Sequence, residues 1–253
     1  MVTLISPSKT LNFENNNVCN LKTNCRLINY TTKLHKILVS YSMSDLKELM
    51  SVSDKIAELN YNRFKSWKNP SESDSSKQAI YAFKGDVYSG LDAESIKEDK
   101  LEFLQNNLRI ISGFYGLLRP FDKILPYRLE MSTKLGNARG KNLYEFWGDN
   151  ITNLLNNDIE DENSYVVNLA SNEYFKSIKK NKLKNKIITP IFKEFKNGTY
   201  KTIAIYAKKA RGLMSRFIID NKIQKPENLK SFNLERYSFD TNLSDDYNYV
   251  FTR

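Results

Sequence analysis

Short runs of β-branched and aromatic residues, each closed by a polar loop and several separated by helical patterns, most limit what this chain can fold into. A strand followed by a helix and another strand needs a crossover, which places helices against a sheet. The runs at residues 2–6, 78–83, 108–112, 165–170, 187–195, 200–207 and 247–252 read as strands. Helical periodicity marks residues 29–41, 44–50, 54–67, 100–107, 143–156 and 212–221. Between the fifth and sixth strands lies Asn197-Gly198, a strong hairpin signal. The expected fold is therefore α/β, a mixed sheet with surrounding helices. The polar loops at 69–77 and 156–164 are too short to separate independent units, so residues 1–253 are expected to form a single domain.

Several function classes are disfavoured by what the chain lacks. No run of about 18 apolar residues exists, so no membrane partner is expected. The start, MVTLISPSKTLNF, has no basic region before a long apolar one and does not read as a signal peptide. Cys19 and Cys25 enclose five residues, a spacing that suits neither a zinc knuckle nor a dithiol motif. They read as ordinary thiols of a reducing compartment, which places the protein in the cytoplasm. His35 is the one histidine, which equips the chain poorly for a His-rich metal site or a Ser-His-Asp triad. It falls in a helical pattern and is expected at the surface or in packing. No cofactor, metal site or catalytic residue is assigned, and the oligomeric state is not legible.

Charge is distributed unevenly. Residues 176–225 carry fifteen Lys or Arg against Glu194 and Asp220, so this stretch is +13 within a chain of net +10. The natural partner of such a field is a polyanion, bound through counterion release without sequence preference. A solvated lysine-rich face is the plain alternative. In YAKKARGLMSR, Lys208, Lys209 and Arg211 are expected where a strand passes into a helix, near backbone donors that favour anions.

A second anion grip is suggested at residues 44–67. The run Leu49, Met50, Ser51, Val52, Ser53, Asp54, Lys55, Ile56, Ala57 resembles the helix-hairpin-helix motif. There Ser51 and Ser53 replace two glycines and Met50 replaces a proline. Such a hairpin turns free N–H groups toward a phosphate at the start of its second helix. Ser53 could cap that helix, and Lys55 adds a cation. A plain helix-turn-helix with a serine cap has the same pattern.

Three polar motifs follow expected strands: SPSKT, KGDVYSG and ASNEYF. In open α/β sheets such loops gather into one crevice. Lys9, Lys84, Asp86, Arg119, Tyr127, Arg128, Glu130, Ser171, Glu173 and Lys208 are therefore candidates to share a cleft. Arginine there suits phosphate, and Tyr88, Tyr115, Tyr127 or Trp147 could stack a base. The competing reading makes Tyr127, Arg128 and Glu130 a structural turn and ion-pair cluster.

The segments FKGDVYSGL, SGFYGLLRPFD, PYRLEM, ARGKNLYEFWGD, NLASNEYFKS and YAKKARGLMSRFII, in this order, resemble the YaaA family of peroxide-stress proteins across nearly the whole chain. The resemblance implies a one-domain α/β fold of unusual topology, a positively charged cleft and a helix-hairpin-helix. It also implies binding of double-stranded or junction DNA, in the setting of DNA repair and lowered free iron under peroxide. The residues expected to meet DNA are Ser51, Ser53, Lys55, Lys84, Arg119, Arg128, Lys176, Lys179, Lys180, Lys208, Lys209, Arg211 and Arg216. An alternative is an enzyme acting on a nucleobase or nucleotide in the same cleft, with Asp86, Glu130 or Glu173 as acid or base and Arg128 steering an anion. Direct iron sequestration is a third reading, disfavoured by the scarcity of His and Cys ligands.

Overall fold

The computed structural model describes residues 1–14, 19–159 and 161–253. The chain opens with Val2–Ile5 (β1), buried along its whole length as a central parallel strand must be. Thr10–Leu11 (β2) is followed by three helices, Ile28–Leu38 (α1), Met43–Met50 (α2) and Asp54–Ser66 (α3). A compact succession comes next: Lys77–Gln78 (β3), Ala79–Ala82 (α4), Phe83–Lys84 (β4) and Asp86–Leu91 (α5). Leu101–Asn107 (α6) leads into Leu108–Ser112 (β5), Gly116–Leu118 (β6) and Lys123–Ile124 (β7). Leu143–Trp147 (α7) and Asn150–Asn157 (α8) precede Tyr165–Asn168 (β8) and Asn172–Phe175 (α9). The remainder is Lys186–Lys196 (β9), Thr199–Lys201 (β10), Ala204–Asp220 (α10), Ser238–Phe239 (β11) and Asn248–Thr252 (β12).

One eight-stranded sheet organises these elements, in the order β11-β12-β9-β8-β1-β5-β6 with β10 added on β9. Its inner pairs are parallel, with Thr3 opposite Val167 on one side and Leu108 on the other. The pairs β11-β12, β5-β6 and β9-β10 are antiparallel, so the sheet is mixed as expected. The Asn197-Gly198 turn has positive φ at both residues, the geometry a two-residue hairpin needs.

Three sequence expectations need correction. Residues 78–83 are not one strand. A helical turn interrupts them, and Ala79 N and Ile80 N donate to Asp122 O and Pro120 O. Every residue there is buried, and a short run without solvent on any side has no periodicity to separate strand from helix. The strand expected at 200–207 stops at Lys201, and α10 begins at Ala204. Its buried side chains, Ala207, Ala210, Met214 and Ile218, recur at helical spacing. Lys208, Lys209 and Arg211 therefore lie within the helix, not at a strand-to-helix junction. Finally, the helix expected at 143–156 is broken at Gly148, whose φ of +50° ends α7.

The tightest helix packing joins α5 to α10. A Cβ on Gly212 would lie 1.9 Å from Val87 O, and one on Gly90 would lie 2.3 Å from Lys209 O. Neither position has room for a methyl group, so two backbones meet directly. Elsewhere, Arg109 of β5, 5% exposed, and Arg26 both bind Asp158 at the end of α8. Arg109 Nε donates to Asp158 Oδ2 at 2.6 Å. Burial pushes the Asp158 carboxyl up, but hydrogen bonds and charge from the two arginines outweigh it and hold the group below the usual carboxylate range.

Two expected outcomes follow. Gly212→Ala should destabilise the fold by about 1–3 kcal/mol through overpacking, outweighing a helix-propensity gain of about 1 kcal/mol; urea unfolding measures the difference. Asp158→Asn should cost about 3–5 kcal/mol, because it strands a buried guanidinium. As the Asp158 pKa is lowered by folding, its contribution is present above the unfolded carboxylate pKa and is lost as pH falls through the folded one. The acid limb of the stability profile should therefore be shallower in the variant.

Candidate functional site

The sheet topology itself makes a crevice. From β1 the chain proceeds to β5 on one side, whereas from β8 it proceeds to β9 on the other. Loops leaving these adjacent parallel strands diverge, and the gap between them is where open α/β sheets bind ligands. A cavity of about 430 Å³ lies there.

Its floor is built by the residues just past the two strands. Ser6 Oγ accepts from Ser171 N at 2.9 Å and lies 3.3 Å from Ser171 Oγ. Beside them, Tyr88 of α5 donates its hydroxyl to Ser6 O at 3.0 Å. Burial, with Tyr127 and Tyr174 nearby, pushes the Tyr88 phenol well up. Gly85, at φ +119°, leads into this wall and approaches Ser8, whose Oγ would lie 3.0 Å from a Cβ there. That backbone conformation and that proximity both favour glycine.

Charged groups occupy the sides. Asp86 comes from α5, Glu173 from α9, Lys9 from the loop after β1, and Lys208 and Arg211 from α10. Glu173 Oε1 accepts from Ser132 N at 3.1 Å and from Ser132 Oγ at 2.8 Å. Lys9 reaches Glu130 at 2.8 Å, and Glu130 also holds Arg128 at 3.1 Å. Arg128 Nε is buried without a partner among the described residues. Arg211 is half-buried, and desolvation lowers its pKa.

The structure thus gathers Lys9, Asp86, Ser171, Glu173 and Lys208 in one crevice, with Tyr127, Arg128 and Glu130 in an adjoining recess. Lys84 is directed to Glu94, 2.7 Å away. Arg119 is fixed on Asp122 at 2.9 Å, and Arg216 on Asp220 at 2.7 Å and Asp92 O at 2.9 Å. Lys209 pairs with Glu235. Lys176 lies over the Tyr144 ring and Lys180 over Phe175, at 5.0 and 5.5 Å. Lys179 anchors its backbone N–H on Thr152 Oγ1. Ser51 and Ser53 are exposed in the turn from α2 to α3, where Ser51 has φ +50°, and Lys55 is exposed in the first turn of α3. Lys47 and Asp54 form a 2.7 Å ion pair across that turn.

The expected base-stacking rings are a correction. Tyr88, Tyr115, Tyr127 and Trp147 are all buried, with no free face. Tyr127 donates to or accepts from Ser112 Oγ, and Trp147 donates to Gly113 O. An exposed aromatic pair is formed by Phe195 and Tyr200, at the β9-β10 hairpin, packed edge to face at 5.2 Å. Sequence reasoning passed over these two and also Ser6 and Tyr174. The strand-end position of Ser6 was the available signal. His35 is a packing residue, bonded to Phe64 O at 2.8 Å and set against Trp67.

Burial raises the phenol pKa of Tyr88, Tyr115, Tyr127 and Tyr174. An ultraviolet titration should therefore ionise the exposed tyrosines first. The buried set should follow only as alkali unfolds the chain, since a raised tyrosine pKa makes ionisation destabilising.

A family profile described as peroxide stress protein YaaA matches residues 1–243. A UPF0246 protein of Aliivibrio fischeri strain MJ11 is 52% identical over 240 residues, spanning 94% of this chain and 93% of the relative. UPF0246 proteins of Shewanella baltica strain OS155 and Hahella chejuensis are 48% and 46% identical over 254 residues, each covering 100% of this chain and 99% of the relative. Identity at this level, sustained from end to end, leaves one assignment: this chain belongs to the YaaA family of peroxide stress proteins.

Proposed function

We propose that this peroxide stress protein acts by holding DNA, gripping the backbone of duplex or junction DNA on a basic face in the cytoplasm, in support of DNA protection and repair and of lowered free iron. The observation that carries this reading is uncompensated charge. Of the fifteen basic residues between 176 and 225, Lys182, Lys209 and Arg216 are taken up in ion pairs with described residues. Lys176, Lys179 and Lys180 remain available to phosphates. Arg119 and Arg216 already face carboxylates and contribute less.

The turn from α2 to α3 supports a second grip. Ser51 has the left-handed backbone at the position where the helix-hairpin-helix motif has glycine. The first N–H groups of α3 lack intrahelical acceptors and face solvent beside Lys55. For unpaired bases, Phe195 and Tyr200 offer exposed rings flanked by Lys196 and Lys201.

Gel-shift titrations against duplex, bubble and four-way-junction DNA at several salt concentrations test the reading. Combining Lys176→Gln, Lys179→Gln and Lys180→Gln should weaken all sequences alike. The same variant should reduce the salt slope by about 0.9 for each phosphate it no longer neutralises. Ser51→Gly should relieve a left-handed serine, stabilise the fold by about 1 kcal/mol and tighten binding. Unchanged affinity and slope in the lysine variant would sink the assignment of that face.

A further inference from the structure

We propose that the crevice outside the ends of β1 and β8 is a separate binding site for a small phosphate monoester carried on a hydroxyl-bearing body, such as a sugar or nucleoside. The inference does not rest on DNA binding. A duplex cannot enter a cavity of about 430 Å³, whereas small-ligand sites run from about 300 to 1,000 Å³. The location is the switch point of the sheet, where the loops after two parallel strands part.

The lining has two chemically different sides. On α10, the half-buried Arg211 guanidinium has no acceptor among the described residues, and Lys208 lies three residues earlier on the same helix face. A guanidinium fork beside an ammonium suits an oxyanion with several terminal oxygens. Burial lowers the Arg211 pKa, so an anion that enters meets a partly desolvated guanidinium that has no ion pair among the described residues. Opposite, Asp86 stands one residue before Val87, and Val87 O is the atom against which Gly212 packs. The backbone crossing therefore brings the acceptor-only Asp86 and the donor-only Arg211 to one cavity, and no ion pair within 4.0 Å ties them together among the described residues. An ionised carboxylate there takes hydroxyl hydrogens.

The floor completes the match. Ser6 Oγ accepts from Ser171 N and donates its own hydrogen to Ser171 Oγ at 3.3 Å, so the Ser171 hydroxyl hydrogen has no acceptor among the described residues. Ser171 can turn that hydrogen to a ligand oxygen. A bare anion would leave Asp86 without a partner in the cavity, and a neutral sugar would leave Arg211 without one. A phosphate monoester of a hydroxylated carrier satisfies both.

Isothermal titration of the full chain with ribose 5-phosphate, adenosine 5′-monophosphate and inorganic phosphate tests this. Saturable one-to-one binding of at least one monoester is expected, and the better of the two identifies the carrier. Arg211→Gln should weaken it at least tenfold, and Arg211→Lys should restore part of the loss. Asp86→Asn should weaken the monoester at least tenfold while leaving duplex DNA affinity unchanged. Should Arg211→Gln fail to fold, Asp86→Asn and Ser171→Ala read the same site. The proposal is overturned if neither monoester saturates in the millimolar range, if binding survives the crevice variants, or if inorganic phosphate binds as tightly as the esters.

Discussion

The direct backbone packing of α5 on α10 is the constraint on which the working surface depends. At Gly90 and Gly212 the helices touch where any side chain would collide with a carbonyl or amide. Close-packed interiors transmit such a displacement, because there are few voids to absorb it. Were the helices to separate by the width of a methyl group, Lys208 and Arg211 would withdraw from Asp86 and the crevice would open sideways. The two glycines lie in separate segments of the chain, and each is explained by the backbone of the opposite helix. Arg216 secures the same arrangement further along, through Leu91 O at the end of α5 and Asp92 O just past it.

Much of the sheet was legible because its strands differ from their surroundings. Residues 108–112 and 165–168 are apolar runs bounded by polar ones, and the Asn-Gly turn announces its hairpin. Failures came where local pattern carried no information about surroundings. The run at 78–83 is enclosed on every side, so its helical turn left no periodic trace. The start of α10 is exposed at Ile205 and Tyr206, which disguised it as a strand. For the crevice, strand-end loops pointed to Lys9, Asp86, Ser171 and Glu173, because topology alone collects such loops. Aromatic residues misled for a physical reason: Tyr115 and Trp147 bring hydrogen-bonding atoms into the core, where Leu125 O and Gly113 O satisfy them.

Cations in this protein divide into two populations by their carboxylate neighbours. Arg26, Arg109 and Arg119 are locked onto Asp158 and Asp122, where they hold loops to the sheet. The lysines of 176–186 are mostly exposed, and two of them lie across aromatic rings. Net charge alone could not distinguish the two groups, since each contributes equally to the formal +10. Burial and geometry do. Arginines with fixed partners stabilise the fold, and the others leave a field that reaches into solvent.

The crevice also carries a consequence for the order in which the chain is made. Its lining comes from four distant stretches, around residues 6–9, 85–88, 171–174 and 208–211. Ser6 is the first of these residues in the chain, yet the strand that brings Ser171 beside it, β8, follows only after the helices α1 to α8, and Arg211 follows later still. During synthesis β1 must therefore wait, unpaired on the β8 side, until the intervening elements and β8 have emerged. No amino-terminal fragment ending before α10 can present the complete pocket, so competence for a small ligand arrives as one late event.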